Sequence, residues 1–100
     1  MVDITIEELK HKLENKEDFL LIDVREDWEY KEFNIDGRLI PLGSLQGAID
    51  DLDDWMEKEV IVHCKSGGRS AAAKEFMVRQ GFNNVRNLLG GMLAWQAKYG

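Results

Sequence analysis

Two apolar patterns take turns along this chain. Ile6, Leu9 and Leu13 recur at helical spacing behind a Thr5–Glu8 capping box, which predicts a helix over residues 6–15. Phe19-Leu20-Leu21-Ile22-Asp23-Val24 is then a short, nearly continuous apolar run, the pattern of a strand covered on both faces. Asp27 is placed to cap a short helix through Trp28, Tyr30 and Phe33. Asn34-Ile35-Asp36-Gly37 reads as a turn, and Arg38-Leu39-Ile40 as a short strand stopped by Pro41. Ser44 is placed to cap a helix holding Leu45 and Ile49, with Leu52, Trp55 and Met56 on its continuation or on a second helix. Val60-Ile61-Val62-His63 is a second buried strand. Ser70–Gln80 forms a helix with Gly81 as its stop, Val85–Leu88 a further strand, and Gly90-Gly91 opens a last helix through Met92, Leu93 and Trp95.

Short apolar strands alternating with helices imply right-handed crossovers, hence an α/β fold with a mostly parallel sheet and helices on both faces. A chain of 100 residues without a Pro/Gly/Ser-rich linker is expected to form one domain over residues 1–100. Ligands of such sheets bind outside the carboxyl ends of the strands.

Charge and composition narrow the partners. A net charge of −6 argues against nucleic acid, whose phosphates need clustered Lys and Arg. The longest apolar stretches fall far short of the ~20 residues of a membrane span, and no basic segment followed by an apolar run marks a signal peptide, so the cytoplasm is expected. A single cysteine forms no internal disulfide, which removes any need for an oxidising compartment. With no second cysteine, neither a metal nor a cofactor is called for.

That cysteine, Cys64, ends the strand pattern and enters Lys65-Ser66-Gly67-Gly68-Arg69-Ser70, ahead of the helix-forming Ala71-Ala72-Ala73. A lone cysteine is ordinarily a small buried apolar residue. Here the strand end, two glycines and two cations point elsewhere. A glycine-rich turn feeding a helix directs backbone N–H groups inward and cradles an anion. The same field lowers a thiol pKa from about 8.5 to roughly 3.5–7.5. Cys64 is therefore the candidate nucleophile, as a thiolate facing a bound anion. Lys65, Ser66, Gly67, Gly68, Arg69 and Ser70 are the candidate substrate-binding loop, with Arg69 first choice for a sulfonate-like group and Ser70 for the helix cap. His63 reads as the last strand residue, and Asp23 with Arg25 as a structural ion pair or turn contact.

Three segments together carry a resemblance to a known family. They are Asp23-Val24-Arg25-Glu26 with Trp28-Glu29-Tyr30, Gly37 and Ile40-Pro41; then Cys64-Lys65-Ser66-Gly67-Gly68-Arg69-Ser70; then Asn87-Leu88-Leu89-Gly90-Gly91-Met92-Leu93-Ala94-Trp95. In this order they resemble a single-domain rhodanese of the sulfurtransferase family over nearly the whole chain. The resemblance implies a central parallel sheet of about five short strands. It also implies that Cys64 takes the outer sulfur of thiosulfate or a persulfide donor and passes it, as a persulfide, to cyanide, a thiol or a protein acceptor. The chain is expected to act as a monomer. Asn34 and Arg38 depart from the family pattern, which has a histidine and a small residue there.

Two alternatives stay open beside the enzyme. One is a persulfide carrier or regulatory binding module with little turnover. The other is a small-oxyanion phosphatase or arsenate reductase, whose Cys-to-Arg loop is one residue longer than the six residues from Cys64 to Arg69.

Overall fold

The computed structural model describes residues 2–100. The chain runs α1 (Ile6–Glu14), β1 (Leu20–Asp23), α2 (Asp27–Glu32), β2 (Arg38–Leu39), α3 (Leu45–Ala48), β3 (Glu59–His63), α4 (Gly68–Arg79), β4 (Asn84–Asn87) and α5 (Gly91–Tyr99). Single 3₁₀ segments at Leu42–Ser44 and Ile49–Trp55 flank α3. The helix expected after Ser44 is thus mostly 3₁₀, and Ser44 makes no side-chain cap there.

The four strands form one parallel sheet in the order β2-β1-β3-β4. This is the expected α/β architecture with one strand fewer than about five. The missing strand is reduced to a single parallel bridge between Ile4 and Leu88, beyond β4. Ile4 donates to Asn87 O at 3.0 Å and accepts from Leu89 N at 2.9 Å. The capping box at Thr5 then turns the chain into α1 before a second residue can pair.

Strand side chains alternate between two cores, as the pleat requires. Leu20, Ile22, Val60 and Val62 pack with Leu45, Leu52, Ala73 and Met77 under α3 and α4. Leu21 and Ile61 pack with Leu9, Met92 and Trp95 under α1 and α5. Both faces of the sheet are therefore covered, which is why β1 and β3 read as continuous apolar runs. Ile22, Val60, Ile61 and Val62 are wholly enclosed, each worth about 1.5–3 kcal/mol of transfer free energy.

Register positions the chemistry. Ile22 pairs with Val62 and Asp23 with His63, so β1 and β3 end level. Asp23 and His63 fall on the α1/α5 side, and Cys64, next in line, falls on the α4 side. α4 begins at Gly68, two residues earlier than the expected Ser70 start, with Gly67 as its N-cap at φ +120°. That conformation favours glycine and lets the loop turn sharply into the helix. Ser70 therefore does not cap the helix; it lies in its first turn, with its hydroxyl beside the Cys64 sulfur.

Candidate active site

Cys64 sits where β3 hands over to the 65–70 loop, and only 1% of it is exposed. Its sulfur is nonetheless in polar surroundings. The Gly67 amide donates to Sγ at 3.1 Å and the Ser70 amide at 3.4 Å. The Ser70 hydroxyl lies 3.3 Å from Sγ, 2.6 Å from Asn87 Oδ1 and 3.2 Å from Gly67 O, so its proton has three acceptors in reach. Of the loop amides expected to face the sulfur, those two reach hydrogen-bond distance. Burial pushes the Cys64 thiol up; the Ser70 hydroxyl and the Ser70, Gly67 and Ser66 backbones pull it down and prevail, leaving its pKa below the ordinary value.

The loop is braced from two sides. Asn87 Nδ2, on β4, donates to Gly67 O at 3.3 Å. From α5, the Met92 amide donates to Cys64 O and the Leu93 amide to Lys65 O, each at 2.9 Å. The free N–H groups of a helix start thus hold the cysteine turn. Gly91 makes this approach possible: at φ +55° an added Cβ would stand 2.5 Å from Cys64 O and 2.6 Å from Lys65 O.

Charged side chains complete the surroundings. Arg69, 35% exposed at its side chain, reaches across to α2 and grips Glu29 through both nitrogens, at 2.7 and 2.8 Å. Glu29 Oε1 also accepts from the Glu26 amide at 3.0 Å. The Arg69 fork, opposed by partial burial, holds the Glu29 carboxyl down at about 2. Deeper still, Arg25 grips Asp23 at 2.8–3.2 Å and donates to Phe33 O at 2.7 Å. This is the structural pair expected of those residues. His63 is fully enclosed beside it, with Nε2 3.8 Å from Asp23 Oδ2. Neither ring nitrogen makes a hydrogen bond among the described residues, although the Cys64 backbone is near enough to favour the charged ring slightly. Burial, against the pull of Asp23, lowers the His63 pKa to about 4, so the ring is neutral.

A cleft of about 200 Å³ opens beside the loop, lined by Trp28, Glu29, Phe33, Lys65, Met92 and Leu93 among others. A larger one, about 520 Å³, borders Phe19–Leu21 at the other end of β1 and includes no residue of the cysteine loop. Among the described residues, no group of three or more His, Cys, Asp or Glu is arranged to hold a metal ion, and no helix is long and apolar enough to cross a membrane.

The structure thus gathers Cys64, Gly67 and Ser70 around the sulfur. Ser66 and Gly68 are exposed parts of the turn, Lys65 is exposed at the cleft, and Arg69 is engaged by Glu29. Sequence reasoning did not single out Glu29 or Asn87. Both stand in the segments that carried the family resemblance, and that membership was the available signal.

Comparison with known proteins gives the family and the fold. Residues 5–98 match the family model of the Rhodanese-like domain, and the chain belongs to that family. It is 34% identical over 89 residues to the thiosulfate sulfurtransferase GlpE of Coxiella burnetii, covering 88% of this chain and 81% of GlpE. It is 36% identical over 97 residues to YrkF of Bacillus subtilis, a candidate sulfur carrier protein; the match takes in 96% of this chain but only 51% of YrkF, about half its length. A rhodanese-related protein from Thermoplasma volcanium superposes with a TM-score of 0.85 at 28% identity, covering 99% of this chain and 94% of the other.

Proposed function

We propose that residues 1–100 form one sulfurtransferase unit in which Cys64 carries the sulfur. The Cys64 thiolate attacks the outer sulfur of thiosulfate or of a thiol persulfide. An S–S bond forms on Cys64, and the bond to the departing group breaks. Its electron pair leaves with sulfite or a thiolate, and the Cys64 persulfide keeps one negative charge. A nucleophilic acceptor, such as a thiol, a protein thiol or cyanide, then takes the outer sulfur and regenerates the thiolate. Two half-reactions through one covalent intermediate give ping-pong kinetics.

The observation that carries this reading is the pair of amides from Gly67 and Ser70, with the Ser70 hydroxyl, directed at Sγ. Such donors stabilise negative sulfur on the thiolate and again on the persulfide. The six-residue span from Cys64 to Arg69 favours a sulfur atom over the tetrahedral oxyanion of a phosphatase or arsenate reductase. A cytoplasmic location belongs to the same reading, since a reactive lone thiol persists under reducing conditions.

The test follows thiocyanate formed from thiosulfate and cyanide. Turnover that disappears in Cys64→Ser is the expected result. No added sulfur mass on Cys64 from either thiosulfate or a thiol persulfide would overturn the proposal. A carrier module is the second reading, favoured by the match to YrkF. It predicts a lasting mass gain of one sulfur atom on Cys64 with negligible thiocyanate.

A further inference from the structure

The mouth of the Cys64 site is short of free positive charge. Thiosulfate carries two negative charges, and its sulfonate end needs cations. Two guanidinium groups stand near, and both are already committed. Arg25 is gripped by Asp23 in the interior. Arg69 is gripped through both nitrogens by Glu29. Glu29 is itself fixed in place, because its Oε1 also takes the Glu26 amide and its side chain is only 9% exposed. A sulfonate competing for Arg69 must therefore displace a carboxylate that the backbone holds ready, at a bidentate contact of the strong kind. Lys65 is left as the cation of the cleft with no ion pair among the described residues, and Glu32 shares that cleft. The remaining walls are apolar: Trp28 and Leu93, 64% and 52% exposed, with Phe33 and Met92.

We infer that Glu29 determines the donor class: by occupying Arg69 it turns the site away from dianionic thiosulfate and toward sulfane donors that carry an organic group on a singly charged leaving end, such as thiol persulfides. This rests on the sulfur-transfer reading above and selects among its donors. The chemistry is unchanged. Cys64 bonds to the outer sulfur, the bond to the organic residue breaks, and the electron pair leaves on a thiolate or a sulfinate. The apolar walls receive the organic group, and no second anionic oxygen has to be neutralised.

The test compares thiosulfate with methanethiosulfonate, which presents the same outer sulfur but replaces one charged oxygen by a methyl group. Loading of Cys64 is followed by mass in single turnover, with each rate constant divided by that of a small free thiol. In the wild-type protein the normalised constant should favour methanethiosulfonate at least about tenfold. Glu29→Gln keeps the Glu26 contact and one bond to Arg69. It should raise the constant for thiosulfate about fivefold or more relative to that for methanethiosulfonate. Adding Arg69→Gln should erase this gain. A purely structural brace would move both donors together. Equal normalised loading in the wild-type protein, which needs no variant to fold, overturns the inference, as does an equal response of both donors to Glu29→Gln. Loading by neither donor overturns this inference, and the sulfur-transfer reading falls with it when glutathione persulfide also leaves no sulfur on Cys64; loading by both without discrimination overturns this inference alone.

Discussion

Two carboxylate–guanidinium pairs stand near the same cysteine and differ in depth. Asp23 and Arg25 are 0% and 6% exposed at their side chains; Glu29 and Arg69 are 9% and 35%. The inner pair joins residues two apart and ties β1 to the carbonyl of Phe33, so its geometry is set by the turn that leaves the strand. The outer pair joins residues forty apart, from α2 to the first turn of α4, and its Glu29 also lines the cleft beside the cysteine loop. One chemical motif thus serves twice. Inside, where desolvation makes an unmatched charge costly, it is scaffold. At the rim, where water can replace either partner, it can adjust.

The largest effect expected from this contrast is on stability. Arg25→Ala leaves the enclosed Asp23 carboxylate without its partner and should cost about 3–5 kcal/mol in denaturant unfolding. Arg69→Ala should cost about 1–2 kcal/mol by the same measurement, because Glu29 keeps the Glu26 amide and some access to water. Equal losses would abolish the distinction between scaffold and rim.

Acid should separate the two regions next. His63 has its pKa lowered from 6.5 to about 4, so an unfolded chain binds the proton first. Stability carried by the neutral ring is whole above pH 6.5 and drains away as the pH falls toward 4. Glu29 is lowered from 4.5 to about 2, so the contribution of the outer pair is present above pH 4.5 and is lost only toward pH 2. Stability measured against pH should therefore fall in two steps, the His63 contribution between pH 6.5 and 4 and the Glu29 contribution below pH 4.5. His63→Leu should flatten the upper part of this limb and Glu29→Gln the lower part. A limb unchanged by His63→Leu would contradict the sign.

The smallest effect sharpens the contrast by extending it outward. Asp27 and Lys31 pair at 3.0 Å on α2 with side chains 63% and 75% exposed. Lys31→Ala should change stability by no more than about 0.5 kcal/mol, and 1 M salt should remove even that.

Depth also governs what was legible in the sequence. β1 and β3 were readable within a residue, because a parallel strand covered on both faces writes an unbroken apolar run. α1 was readable because its capping box is local. The cysteine turn stood out through contiguous residues. The single-residue bridge at Ile4 has too little length to make a pattern, and the 3₁₀ winding of Ile49–Trp55 shares its apolar spacing with an α-helix. The early start of α4 at Gly68 hid behind the successive Gly67 and Gly68, glycine being the poorest helix former after proline. The hold of Glu29 on Arg69, and of Asn87 on Ser70, joins positions far apart along the chain. No periodicity encodes such a meeting; it exists only once the sheet has set the register.

The start of α5 carries one more consequence. Its Met92 and Leu93 amides clasp two successive carbonyls, those of Cys64 and Lys65, beside a glycine that admits no side chain. The turn that carries the thiol is therefore closed by a helix that contributes no atom to the sulfur's own hydrogen bonds. A side chain at Gly91 would disturb the cysteine loop from outside it, with every residue that touches the sulfur left in place.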